Sequence, residues 1–134
     1  MMEIRRRTSK PVWVGGVKVG GDAPIVVQSM TNTSTADVQA TLRQVYELAD
    51  LGCEIVRVAV PDRHAAAALP DIVRHSPVPV VADIHYDYRL ALAALKAGVH
   101  GLRLNPGNMR DAEKVRAVVR LAQERRVPIR VGVN

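Results

Sequence analysis

Seven residues could act together chemically: Arg57, Asp83, His85, Arg103, Asn105, Arg130 and Asn134. Three are guanidiniums, planar forks that match phosphate oxygens with paired hydrogen bonds. The others are a carboxylate, an imidazole and two amides. Arg57, Asp83, Arg103 and Arg130 follow one another at intervals of 26, 20 and 27 positions. Each interval is about one strand plus one helix, so successive units would each contribute one charged group. The chemistry such a set favours is capture of a phosphate or diphosphate. Asp83 and His85 have two readings: proton transfer or contact with a ligand hydroxyl, or structural pairing with the neighbouring arginines. The arginines have an alternative too, an internal salt-bridge network with acidic partners from strands beyond these residues.

The elements that must position these groups can be read from periodicity. From Ile25 onward, short runs rich in Val and Ile alternate with helical stretches. Strands are expected at 25–30, 54–60, 78–85, 101–105 and 128–133, and helices at 35–51, 63–75, 87–97 and 111–126. Thr35 is the expected N-cap of the first helix, and Asp37 favours the positive end of its dipole. Val38, Leu42, Val45 and Ala49 recur at helical spacing on one face. Gly52 and Gly98 can take the left-handed conformation that ends such helices. The alternation of strand and helix specifies a parallel α/β sheet.

Residues two apart in a strand share a face. That rule puts Val56, Val58, Val60, Leu102, Leu104, Ile129, Val131 and Val133 on the helix side. Arg57, Ala59, Asp83, His85, Arg103, Asn105, Arg130, Gly132 and Asn134 fall on the other side, near the C-terminal strand ends where β/α barrels keep their ligand sites. Three inward arginines cannot be buried unpaired, because an isolated buried charge costs several kcal/mol. Asp83 can neutralise one; the remaining charge calls for an anion from outside.

Residues 12–14 and 17–19 flank Gly15-Gly16, a hairpin signal. Residues 1–24 are therefore expected as an N-terminal β-hairpin that could cap the barrel's N-terminal mouth. Residues 25–134 would supply the first four to five β/α units of a TIM-type barrel. A full barrel needs about 250 residues, so 134 hold little more than half of one.

Other features are weaker. The run Asn105-Pro-Gly-Asn108 could present backbone N–H groups to an anion at a helix N-terminus, or make an ordinary turn. The polar cluster 28–33 is either a ligand contact or a solvated loop. His64, His75 and His100 are expected at the surface, and Cys53 in the core. One cysteine allows no intrachain disulfide and makes a cytoplasmic location the default. It also cannot hold an iron–sulfur cluster, which takes three or four; no metal ligands are expected here.

Composition narrows the partners. A net charge of +6 invites a nucleic-acid reading, but aromatics are 3% and Phe is absent, whereas single-strand binders stack bases on aromatic rings. Neither nucleic acid nor a membrane is expected as partner: no apolar run is long enough to cross a bilayer. The basic start, Arg5-Arg6-Arg7, is not followed by the apolar segment of a secretory signal.

Five ordered segments carry a resemblance. Residues 27–33 (VQSMTNT), 55–61 (IVRVAVP), 81–86 (VADIHY), 102–108 (LRLNPGN) and 129–134 (IRVGVN) are similar to the bacterial 4-hydroxy-3-methylbut-2-enyl diphosphate synthases. The resemblance implies reductive ring-opening of 2-C-methyl-D-erythritol 2,4-cyclodiphosphate in non-mevalonate isoprenoid synthesis. It further implies a 4Fe-4S cluster on a separate C-terminal domain, flavodoxin or ferredoxin as electron donor, and a homodimer. Arg103, Asn105, Arg130 and Asn134 match family positions that grip the substrate; Arg57, Asp83 and His85 match others lining the same mouth. The remaining strands and the cluster cysteines have no counterpart here, so the expectation is a truncated, catalytically inert piece. Two other readings stay open: a phosphate-handling barrel of the pterin-diphosphate kind, or a non-catalytic assembly module.

Overall fold

Four helices and a five-stranded parallel sheet alternate along the chain in a computed structural model that describes residues 2–133. A hairpin of β1 (Val12–Val14) and β2 (Val17–Val19) comes first. Then follow β3 (Gln28–Met30), α1 (Val38–Asp50), β4 (Ile55–Val60), α2 (Arg63–His75), β5 (Val80–Ile84), α3 (Tyr88–Ala97), β6 (Gly101–Leu104), α4 (Ala112–Glu124) and β7 (Ile129–Val131). The sheet order is β3-β4-β5-β6-β7, every neighbouring pair parallel. Each strand lies beside the next one in sequence, as in an unfinished β/α barrel.

Both edge strands are shorter than periodicity suggests. Residues 25–27 fall outside β3, yet Val27 stays anchored: its N–H donates to Glu54 Oε2 (2.8 Å) and its carbonyl accepts from Glu54 N (2.9 Å). An edge strand has a partner on one side only, so its ends lack the second row of bonds that would hold them extended.

The sequence reading of the first helix cap needs correction. Asp37, not Thr35, is the N-cap of α1, its carboxylate accepting from Ala40 N at 3.1 Å. Asp62, Asp87 and Asp111 cap α2, α3 and α4 in the same way. A carboxylate meets both the free N–H groups and the positive end of the dipole, which a threonine hydroxyl does less well. Thr35 is instead buried in the loop.

Three helices end in a left-handed residue: Gly52 (φ 98°) after α1, Gly98 (φ 94°) after α3 and Arg126 (φ 55°) after α4. At α4, Val127 N reaches back to the Ala122 carbonyl at 2.8 Å, the six-to-one bond of a Schellman turn. Periodicity and composition identify the two glycines but not Arg126, where a residue with a Cβ takes the same conformation.

The core lies between sheet and helices. Val56, Val58, Val60, Ile84 and Leu102 meet Leu69, Ile72, Leu95 and Val118, all fully or almost fully buried. Each such side chain contributes roughly 1.5–3 kcal/mol. On the last strand Val131 keeps register with the helix-side Leu104, but Val131 and Val133 are 66% and 80% exposed. No helix covers them among the described residues.

The hairpin sits against the N-terminal strand ends, with Gly15 against Pro79 and His100, and Val14 close to Gly101. Val12, Val14 and Val19 line a 400 Å³ cavity together with Ile55, Val81 and Gly101, and Gln28 and Arg130 also border it.

Candidate anion site on the inward sheet face

Parity and register together stack the inward side chains in layers. Asp83, Arg103 and Arg130 are successive register partners across β5, β6 and β7, so they stand side by side. Arg57 pairs with Val81, one layer nearer the hairpin. The other inward residues of that layer, Val81 and Gly101, and Ile55 below it are buried and non-ionic. Charge therefore begins halfway up the strands, toward their C-terminal ends.

Asp83 is the hub. It is 3% exposed, and both its oxygens are engaged. Arg103 Nη1 lies 3.4 Å from Oδ1, Arg57 Nε 3.4 Å from Oδ2, and His85 Nε2 3.7 Å from Oδ2. The Arg103 contact has hydrogen-bond geometry. Arg57 Nε does not: it is buried without a hydrogen-bond acceptor, so its contact with Asp83 is electrostatic only. Asp83 thus does double duty as counter-charge for two arginines.

Arg130 differs. It is exposed, and it forms no hydrogen bond or ion pair with any described residue. Asp83 carries one negative charge against the three guanidiniums of Arg57, Arg103 and Arg130. The site is therefore positive even with His85 neutral.

Asn105 follows Arg103 on the same face and is buried. Its Oδ1 accepts from Gly107 N at 2.9 Å, which closes an Asx turn and leaves its Nδ2 group without a partner among the described residues. Asn134 lies outside the described residues.

The anion nest expected from the 105–108 run is not formed at a helix N-terminus. Gly107 N is taken by Asn105, and α4 begins only at Ala112, where the Asp111 carboxylate accepts from Glu113 N and Lys114 N. A carboxylate already fills that position, and its charge would repel a second anion. Beside it, Tyr86, Asp87, Arg89, Arg110 and Lys114 line a 620 Å³ cleft. One ion pair spans it: Arg89 grips Asp87 through Nε and Nη2 at 3.1 and 3.0 Å. That bond is the main cause holding the Asp87 carboxyl below its usual range.

The remaining candidates separate. His64 and His75 are exposed as expected. His100 is not a simple surface residue: its Nδ1 accepts from Val80 N at 3.0 Å, and burial pushes its pKa down. It serves the sheet end under the hairpin, opposite the arginines. The 28–33 cluster is held by its own loop and helix. Asn32 and Gln44 bond reciprocally, and Thr33 meets Thr41. Thr31 and Thr35 bury hydroxyls without acceptors. Cys53 is buried at the start of β4, its thiol donating to the Ile55 carbonyl at 3.0 Å. A lone, hydrogen-bonded thiol does not fit an iron–sulfur cluster, which needs three or four thiolates.

The role of one inward residue escaped the sequence reading. Gly132 lies directly beneath the Arg103 guanidinium; a Cβ there would stand 2.5 Å from Nε. The signal was available, since position 132 shares the inward face with Arg130, but a glycine carries no chemistry of its own.

A family model described as the GcpE TIM-barrel domain matches residues 9–134. Among curated proteins, the 4-hydroxy-3-methylbut-2-en-1-yl diphosphate synthase (flavodoxin) of Dehalococcoides mccartyi is 57% identical over 131 residues, covering 98% of this chain and 38% of that protein. The synthase of the same name from Lawsonia intracellularis is 56% identical over 133 residues (99% and 37%). That of Maridesulfovibrio salexigens is 58% identical over 131 residues (98% and 37%). The chain thus spans well under half the length of these relatives.

Proposed function

Because the chain belongs to the GcpE TIM-barrel family, we propose that it is the substrate-gripping first part of a 4-hydroxy-3-methylbut-2-en-1-yl diphosphate synthase. Its ligand on this reading is 2-C-methyl-D-erythritol 2,4-cyclodiphosphate, whose two phosphates supply the negative charge that the inward face lacks. The observation that carries the reading is the imbalance at Asp83: one buried carboxylate serves two guanidiniums, and a third stands beside them without a partner among the described residues.

The roles follow from position. Arg103 and Arg130, side by side on β6 and β7, grip diphosphate oxygens with forked hydrogen bonds. Asn105 offers its Nδ2 group to the same ligand, and Asn134, outside the described residues, is the second amide on the family pattern. Arg57 contributes charge from the layer below. Asp83 holds Arg57 and Arg103 in place. His85, half-exposed above Asp83, reaches a ligand hydroxyl. The electrons for ring-opening come from a 4Fe-4S cluster fed by flavodoxin, the donor in the relatives' name, or by a ferredoxin. The donor set here cannot hold that cluster, so no redox step is assigned to these residues. The ligands would come from outside the 134 residues, in a homodimer on the family pattern.

Calorimetric titration of this chain with the cyclic diphosphate tests the reading. Saturable binding that weakens as salt rises is the expected result. Absence of heat at millimolar ligand and low salt would remove it.

A further inference from the structure

We propose that Gly132 is a positioning residue: its missing side chain is the seat on which the Arg103 guanidinium lies. This deepens the anion-site reading above and rests on it for its functional consequence.

Three observations converge. A Cβ at position 132 would stand 2.5 Å from Arg103 Nε, 2.8 Å from Nη2 and 3.0 Å from Cζ. The guanidinium therefore occupies the space any other side chain would need. Second, the backbone at 132 cannot retreat freely, because Gly132 N donates to the Leu104 carbonyl at 2.9 Å and so continues the β6–β7 pairing. Third, Gly132 is not among the glycines with positive φ. Its conformation is open to any residue, so space rather than backbone freedom is what the glycine provides.

The other side of the fork is fixed as well, with Nη1 3.4 Å from Asp83 Oδ1. Arg103 is thus set between a buried carboxylate and a bare stretch of backbone, its side chain only 11% exposed. Preorganisation of this kind lowers the ordering cost of gripping a ligand. A methyl at 132 must displace the guanidinium, which is the mobile end of a flexible chain. The fold should tolerate that movement, while the grip should not.

The test uses this chain labelled with ¹⁵N, following the arginine Nε–H resonances, together with calorimetric titration by inorganic pyrophosphate. Arg103→Lys assigns the Arg103 resonance by its disappearance. Gly132→Ala is expected to shift that resonance, lower pyrophosphate affinity roughly tenfold, and leave the melting temperature close to the parent's. Gly16→Ala, at a glycine with open space around it, is the control and should change none of these. In an Arg103→Ala background, Gly132→Ala should cost nothing further, the coupling expected of two groups acting as one.

An unmoved Arg103 resonance would overturn the proposal. So would an equal loss of affinity, or of melting temperature, in the Arg103→Ala background, since the glycine would then act independently of the arginine. If the parent chain does not bind pyrophosphate at all, the anion-site reading fails, and the resonance alone still decides whether Gly132 seats Arg103.

Discussion

Arg103 and Arg130 stand directly opposite each other on adjacent parallel strands, and only Arg103 has Asp83 within reach. Like charges on neighbouring strands are destabilising unless a counter-ion sits between them. A bound diphosphate would turn that repulsion into binding energy. Arg103→Ala and Arg130→Ala should each weaken pyrophosphate binding, by roughly tenfold or more for a lost charge-assisted contact. Calorimetric titration at two salt concentrations checks this. Unchanged affinity in both variants would remove their proposed roles.

The two arginines should differ in stability. Arg130 is exposed and without a partner among the described residues, so Arg130→Ala should leave the urea midpoint unchanged or raise it slightly by relieving repulsion. Asp83→Asn should do the opposite. It leaves Arg57 and Arg103 without their buried counter-charge, and breaking such a pair costs on the order of 3 kcal/mol, less here because Arg57 is a quarter exposed. Added sulfate should restore part of the loss, since an anion that binds only the folded state stabilises it by mass action. Urea melts with and without sulfate decide; a midpoint indifferent to Asp83→Asn would show that the hub is not holding the cluster.

Acid should weaken the hairpin end of the sheet. His100 Nδ1 must be unprotonated to accept from Val80 N, and burial lowers its pKa. The folded state thus takes up a proton less readily than the unfolded chain. The contribution is complete above the ordinary histidine value of about 6.5 and is lost as pH falls below it, through the depressed folded value. Urea midpoints should decline between neutral pH and about pH 5, and His100→Ala should flatten that part of the profile. A slope identical in the variant would assign the acid sensitivity elsewhere.

Two helix ends offer a matched pair. Gly98 and Arg126 both sit in the left-handed region, at φ 94° and 55°. Arg126→Gly should stabilise the chain by about 1 kcal/mol, and Gly98→Ala should destabilise it by a similar amount. The alanine methyl at 98 has room, its nearest neighbour being Val73 Cγ1 at 3.9 Å, so only backbone strain is tested. Thermal melts of both variants should move in opposite directions; movement in the same direction would mean that packing governs these ends.

Much of this architecture is legible in one dimension because its causes are local. The exact span of α2, the hairpin around Gly15-Gly16 and the glycine stops after α1 and α3 follow from periodicity, from turn chemistry and from residues that tolerate positive φ. The inward face carrying Arg57, Asp83 and Arg103 follows from the period of two. Where neighbouring signals competed, local reasoning slipped. Thr35 and Asp37 are both good caps, and the stronger acceptor won. The 105–108 run has the composition of an anion-binding turn, yet Asn105 takes the N–H groups of Gly107 and Asn108, and Asp111 takes those at the helix start.

Alternation along each strand was enough to place every inward charge on one side of the sheet, because a strand's side-chain period does not depend on its partners. Which of those charges touch is a matter of register, and register exists only between strands. Asp83 serving Arg57 from a lower layer, Arg130 left beside Arg103 without an acid among the described residues, and Gly132 yielding its space to a guanidinium were decided by how β4 to β7 align. His100 turned from a surface position into a sheet contact for the same reason: its partner, Val80, lies a whole β/α unit away.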